Sequence, residues 1–182
     1  MAPQERSQVP ADGLVVRPRI YLDIDGSICP LPPPTRSEWW SPPTDDWSSW
    51  VDPRAFNETP FPVALLDDLV SLDWAEVVWA TTWPLDMIED AFERAGYPSL
   101  KFRHLCPSGR FDKFEAIRDD VEADPVPFVW IEDHRFSAER TWESPAPQRR
   151  IRPNKYVGVS SRSWRMALNW LRAESGLSRL PG

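Results

Sequence analysis

Cysteine is scarce in this chain: Cys29 and Cys106 are the only two in 182 residues. That excludes the bridged framework of a small secreted domain and predicts reduced thiols in a cytoplasmic setting. Long apolar runs are missing as well. None approaches the roughly 20 residues of a membrane span, so no membrane partner is expected. Residues 1–17 contain Pro3 and Pro10, lack the apolar stretch of a secretory signal and are expected to form a loose tail. Residues 176–182 are expected to form a second tail. Lysine occurs only at 101, 113 and 155, so nearly all of the 21 basic residues are arginine. Against them stand 28 acidic residues, for a net charge of −7. This balance argues against a broad nucleic-acid-binding face and leaves room for a local basic patch. His104 and His134 lack the spacing of a zinc site.

What the chain does have is length enough for one domain with a substantial core. Its most telling stretch is Ile20-Tyr21-Leu22-Asp23-Ile24-Asp25-Gly26. The apolar residues predict a buried strand, and its end is where an open α/β sheet places its chemistry. Residues two apart in a strand share a side, so Asp23 and Asp25 face one site if extension persists, and Gly26 lets the chain turn away. Two close carboxylates repel unless a cation lies between them or one takes a proton. The pair therefore predicts Mg²⁺ chemistry, with one carboxylate as nucleophile and the other as acid and base. The alternative is a strand followed by an acidic turn, since Asp and Gly are common turn residues.

Further along, Val63, Leu66, Leu69 and Val70 recur at helical spacing, and Glu76 to Thr81 reads as a second buried strand. Pro84 opens a helix that Leu85, Ile88, Ala91, Phe92 and Ala95 line and Gly96 ends. Leu100 to Leu105 is a weak third strand. Phe111, Phe114, Ile117 and Val121 mark a helix closed by Asp124-Pro125, and Val126 to Ile131 is a fourth strand. A fifth strand, broken near Pro153, is expected within 150–159, and a last helix from Ser161 buries Trp164, Leu168 and Leu171. Strands alternating with helices predict an α/β fold with a central parallel sheet covered on both faces.

In such a sheet the C-terminal strand ends share one edge. The first strand brings Asp23 and Asp25 there, the second Thr81 and Thr82, and the fourth Glu132 and Asp133. Lys113 is the one lysine at the start of a helix between the second and fourth of these strands. Leu22-Asp23-Ile24-Asp25-Gly26, Val78-Trp79-Ala80-Thr81, Lys113 and Val129-Trp130-Ile131-Glu132-Asp133, in this order, resemble the four motifs of the haloacid dehalogenase (HAD) superfamily. The resemblance covers residues 18–175. More narrowly, Trp79-Ala80-Thr81-Thr82-Trp83, Phe128 to Asp133 and the closing Tyr156-Val157-Gly158-Val159 resemble the small HAD domain of so-called Swiss Army Knife RNA repair proteins.

The resemblance implies a Rossmannoid three-layer sandwich and a Mg²⁺-dependent phosphomonoester hydrolase working through an aspartyl-phosphate. Asp23 would be the nucleophile and Asp25 the acid and base. Thr81 would donate to a phosphoryl oxygen, and Lys113 would neutralise developing charge. Mg²⁺ would be held by the Asp23 carboxylate, the Asp25 backbone carbonyl and Asp133, with Glu132 orienting Lys113 or a metal-bound water and Thr82 in a supporting place. The rival for the Glu132–Asp133 pair is a helix N-terminal acid favoured by the dipole.

Eleven tryptophans are many for this length. Trp39, Trp40, Trp47 and Trp50 fall in a Pro-rich segment, residues 30–60, where the superfamily inserts a cap. A cap this small leaves the site open, which suits a phosphate on a nucleic-acid end, such as a 3′-phosphate, over an enclosed metabolite. Exposed rings would stack on bases; otherwise they fold back over one sheet face. Arg103, His104, Arg110 and Lys113 form one basic stretch, and Arg149, Arg150, Arg152 and Lys155 another. Two rival functions remain: a small-molecule phosphatase of nucleotidase type, and a non-catalytic binding module on the same fold. Oligomeric state is not legible in the sequence.

Overall fold

Ile20, Tyr21 and Leu22 are fully buried, so the first strand needs cover on both faces, and the rest of the fold supplies it. The computed structural model describes residues 17–32, 47, 49–51, 60–105 and 113–177. In chain order these form β1 (Arg19–Leu22), β2 (Trp50–Val51), β3 (Phe61–Pro62), α1 (Val63–Ser71) and β4 (Glu76–Trp79). There follow α2 (Leu85–Arg94), β5 (Arg103–His104), α3 (Lys113–Ala123), β6 (Phe128–Ile131), β7 (Gln148–Ile151) and α4 (Ser161–Glu174). The central sheet has the order β5-β4-β1-β6-β7, and every neighbouring pair is parallel. β2 and β3 make a separate antiparallel ribbon.

Side chains alternate across the sheet. Ile20, Leu22, Val77, Trp79, Val129 and Ile131 point to one face, where α1, α2 and α4 bury Leu65, Phe92, Trp164 and their neighbours. Tyr21, Val78, Phe128 and Trp130 point to the other, covered by Phe114, Ile117 and Val121 of α3. Each large side chain taken fully out of water contributes about 1.5–3 kcal/mol. The expected α/β architecture with a parallel sheet between helix layers is present. Among the described residues no helix is long and apolar enough to cross a membrane.

Two sequence expectations need adjustment. The fifth strand does not occupy 150–159: it begins at Gln148 and ends before Pro153, and Asn154 to Gly158 turn back, with Val157 N and Gly158 N donating to the Asn154 carbonyl. Proline cannot extend a hydrogen-bonded ladder, which explains the stop. Arg103 belongs to no open basic stretch, because Glu76 and Asp120 pair with it at 2.8 and 2.7 Å. Trp47 is 6% exposed and donates from Nε1 to the Val159 carbonyl at 3.0 Å, while Trp50 packs half-buried against the core. For these two rings the expected fold-back over the sheet is what the structure shows. Trp39, Trp40, Cys106, Arg110, Phe111, and the tails over 1–16 and 178–182 lie outside the described residues.

At the opposite sheet edge from the candidate site, Arg19 and Arg103 share Glu76 and Asp120, Arg19 also meets Asp124, and the Tyr21 hydroxyl donates to Asp120 at 2.6 Å. Burial alone would raise the Glu76 and Asp120 carboxyls, but the hydrogen bonds and charges of the guanidiniums outweigh it and hold both below the usual range. A depressed carboxyl adds stability above its unfolded pKa of about 4 and loses it as pH falls through the folded value. Denaturant melts should therefore weaken below about pH 4, and Asp120→Asn should flatten that acid limb.

Candidate active site

The apolar strands end where solvent begins, and their next residues meet. Asp23 N donates to the Ile131 carbonyl at 3.1 Å and Ala80 N to the Leu22 carbonyl at 2.9 Å, so β1 and its two neighbours stop together. Asp23, Thr81 and Glu132 are each no more than 2% exposed. Lys113 opens α3 and places Nζ 2.8 Å from Asp23 Oδ1 and 2.9 Å from Glu132 Oε2. A cation at a helix N-terminus opposes the dipole by about 0.3–1 kcal/mol, so the two carboxylates are what hold it there. Glu132 Oε1 accepts from His134 N at 3.1 Å, which fixes that carboxylate in turn.

The charges are crowded. Burial pushes the Asp23 carboxyl above its usual range despite the opposing pull of Lys113. Burial, followed by the Asp23 charge, does the same to Glu132. Burial alone would lower the Lys113 ammonium, but its two partners raise it. One ammonium is thus shared between two desolvated carboxylates, with Asp133 nearby as a third. Oxygen atoms from Asp23, Glu132 and Asp133 lie within 4.8 Å of one another. An all-carboxylate donor set with excess negative charge fits a hard divalent cation such as Mg²⁺.

Extension does not persist beyond β1. Ser27 N, Ile28 N and Cys29 N all converge on the Ile24 carbonyl, winding the chain into a tight loop, with Gly26 at φ +69°. Asp25 therefore stands apart from the three clustered carboxylates, and its Oδ2 accepts from Trp83 Nε1 at 2.8 Å. Its charge still reaches Asp23, whose carboxyl it helps to raise. Thr81 is buried just past β4; its Oγ1 accepts a long 3.4 Å bond from Trp83 N, and its carbonyl accepts from His104 Nε2 at 3.0 Å. Thr82 is exposed. The described structure thus brings Asp23, Lys113, Glu132 and Asp133 together, with Asp25 and Thr81 on the adjoining loops.

Two site residues escaped the sequence reading. Trp83 anchors Asp25, and Ser27, fully buried, offers its hydroxyl to Asp23 Oδ2 at a long 3.5 Å. Trp83 was visible as the second tryptophan of Trp79-Ala80-Thr81-Thr82-Trp83, but only the loop shows what its indole holds.

Gly26 carries a structural demand. A Cβ there would sit 2.8 Å from Asp133 Cγ and Oδ2 and 2.9 Å from Lys155 Cβ. Gly26→Ala combines this clash with about 1–2 kcal/mol of left-handed backbone strain. It should lower the melting temperature by several degrees in a thermal melt.

No family model, curated protein or solved structure matches the chain.

Proposed function

We propose that this chain is a Mg²⁺-dependent phosphomonoester hydrolase of the haloacid dehalogenase type, acting through phospho-Asp23. The observation that carries the reading is the buried Asp23 carboxylate at the end of the central strand, tied by Lys113 to Glu132 and beside Asp133. A purely structural core has little use for two desolvated acids bridged by a lysine at a sheet edge, with a third acid beside them, because such groups cost more than apolar packing. Perturbed, convergent ionisable groups are a common mark of catalysis.

In the proposed reaction Asp23 attacks phosphorus, forming an Asp–O–P bond as the bond to the leaving oxygen breaks. Asp25 gives that oxygen its proton. Water then attacks phosphorus, the bond to Asp23 breaks, and Asp25 takes up the proton that water releases. Trp83 occupies one Asp25 oxygen and holds the carboxyl in position. Lys113 offsets the negative charge that develops on the phosphoryl oxygens, and Thr81 is placed to donate to one of them. Asp23 and Asp133, with the Asp25 carbonyl, would hold the metal, which when bound supplies further neutralisation of phosphate charge.

The test is phosphate release from a 3′-phosphorylated oligonucleotide and from free nucleotides, with and without Mg²⁺. Metal-dependent release is expected from at least one substrate. Release that is indifferent to both Mg²⁺ and Asp23→Asn would sink the proposal.

A further inference from the structure

The net charge of this chain is −7, yet four arginines converge on one open cavity of about 680 Å³ beyond the end of β6. Arg135, Arg140, Arg150 and Arg152 line it, together with Phe136 and a single acid, Glu139. The acid is buried and already spent: it pairs with Arg150 at 3.1 Å and with Arg152. Both guanidiniums also lie over the Trp130 ring, at 5.4 and 5.3 Å, which locks them as walls. Arg135 and Arg140 are different. Both are exposed, and their side chains make no ion pair or hydrogen bond among the described residues.

The cavity adjoins the catalytic loop. Arg152 Nη1 donates to the Glu132 carbonyl at 3.2 Å, and Arg135 follows Asp133 by two residues, a span of at most about 7 Å between Cα atoms. Two free, planar guanidiniums beside two fixed ones suit a phosphate oxygen set, which arginine grips with paired hydrogen bonds. Phe136, half-buried and stacked on Trp130 at 5.7 Å, gives the cavity an aromatic floor on which a base can rest.

We propose that this cavity seats a second phosphate of the substrate, closed upon by Arg135 and Arg140, while the first phosphate lies against Asp23. The inference rests on the phosphatase reading and narrows it to substrates carrying at least two phosphates. A polynucleotide end and a nucleoside bisphosphate share this chemistry.

Binding to the Asp23→Asn protein separates the inference from turnover. Calorimetry would compare adenosine 3′-monophosphate, adenosine 3′,5′-bisphosphate and a short 3′-phosphorylated oligonucleotide. A doubly phosphorylated ligand should bind at least about tenfold more tightly than the monophosphate, and Arg135→Ala/Arg140→Ala should erase that advantage. For the oligonucleotide, the double variant should also flatten the logarithmic salt dependence by about 0.7, the share of one single-strand phosphate contact. Arg118→Ala/Arg165→Ala, which removes a half-buried arginine of α3 and an exposed one of α4 outside the cavity lining, should keep the advantage. An advantage shown by the oligonucleotide alone assigns the second phosphate to a polymer, and one shown by the bisphosphate assigns it to a nucleotide. No advantage, or one that survives in the Arg135/Arg140 variant, overturns the inference, whatever the wild-type protein hydrolyses. Conversely, an Arg-dependent advantage without release from any substrate upholds the anion site and defeats the phosphatase reading.

Discussion

Replacing Asp23 with asparagine should leave a folded protein that releases phosphate at least about 10⁴-fold more slowly, the scale of loss seen when a covalent nucleophile is removed. Asparagine has nearly the same shape, so packing at the end of β1 is kept. Its amide cannot form the phosphoryl ester. Fold and chemistry should even move in opposite directions. Asp23 is almost fully buried beside a second carboxylate, and burial already disfavours its charge. Removing that charge leaves Lys113 paired with Glu132 alone, a one-to-one arrangement with less repulsion. The metal-free variant should therefore melt no lower than the parent. A low melting temperature together with lost activity would mean that Asp23 serves the fold, and the nucleophile assignment would fall.

Lys113→Met should do the reverse to stability. Among the described residues it removes the one cation paired with both Asp23 and Glu132, and leaves two desolvated carboxylates facing each other. Breaking a buried ion pair from one side costs about 3–5 kcal/mol. For a chain of this size that is roughly 6–20 °C in melting temperature. The loss has a definite pH sign. Without the ammonium, both carboxyls rise further above their unfolded values, and a raised carboxyl loses stability as pH increases. The variant should be nearest to the parent in mild acid and weakest above neutrality. Mg²⁺ should recover part of the loss, because a cation bound to the folded form stabilises it by mass action. Adding Asp23→Asn should also recover part, since it removes one member of the repelling pair. Phosphate release should fall by at least about 10²–10³. Equal melting curves for parent and variant at every pH would refute the charge-bridging account.

Much of the frame can be read from residue order. β1, β4 and β6 are short apolar runs buried on both sides, and no other element accounts for such runs ending in polar residues. α2 announces itself through Pro84 before it and Gly96, at φ +89°, after it. β7 is legible only in part: a strand broken near Pro153 is expected from Arg150, while its start at Gln148-Arg149 carries no apolar signal. It is an edge strand, and Arg150 earns its partial burial by lying over Trp130 and Trp142, a contact no hydropathy pattern encodes. The same limit holds at the site. Acids at strand ends mark where Asp23, Glu132 and Asp133 will gather. Nothing local says that Asp25 leaves the strand direction for an indole 58 residues away, or that Arg103 is neutralised by acids from β4 and α3. Local pattern reveals which elements form; charge pairing depends on how they are stacked.

The strand order also sets a clock. β1 is made first, yet it lies at the middle of the sheet and needs β4 on one side and β6 on the other. Ninety residues separate Asp23 from Lys113, its ion-pair partner. At 5–20 residues per second a ribosome needs roughly 5–20 s to cover that distance. Throughout that interval the side of Ile20-Tyr21-Leu22 that pairs with β6 stays an open apolar edge, the kind of surface that holdase chaperones capture. The finished Asp23–Lys113–Glu132 cluster is accordingly among the last tertiary features to assemble, and truncated chains that stop before β6 should carry Asp23 without a site around it.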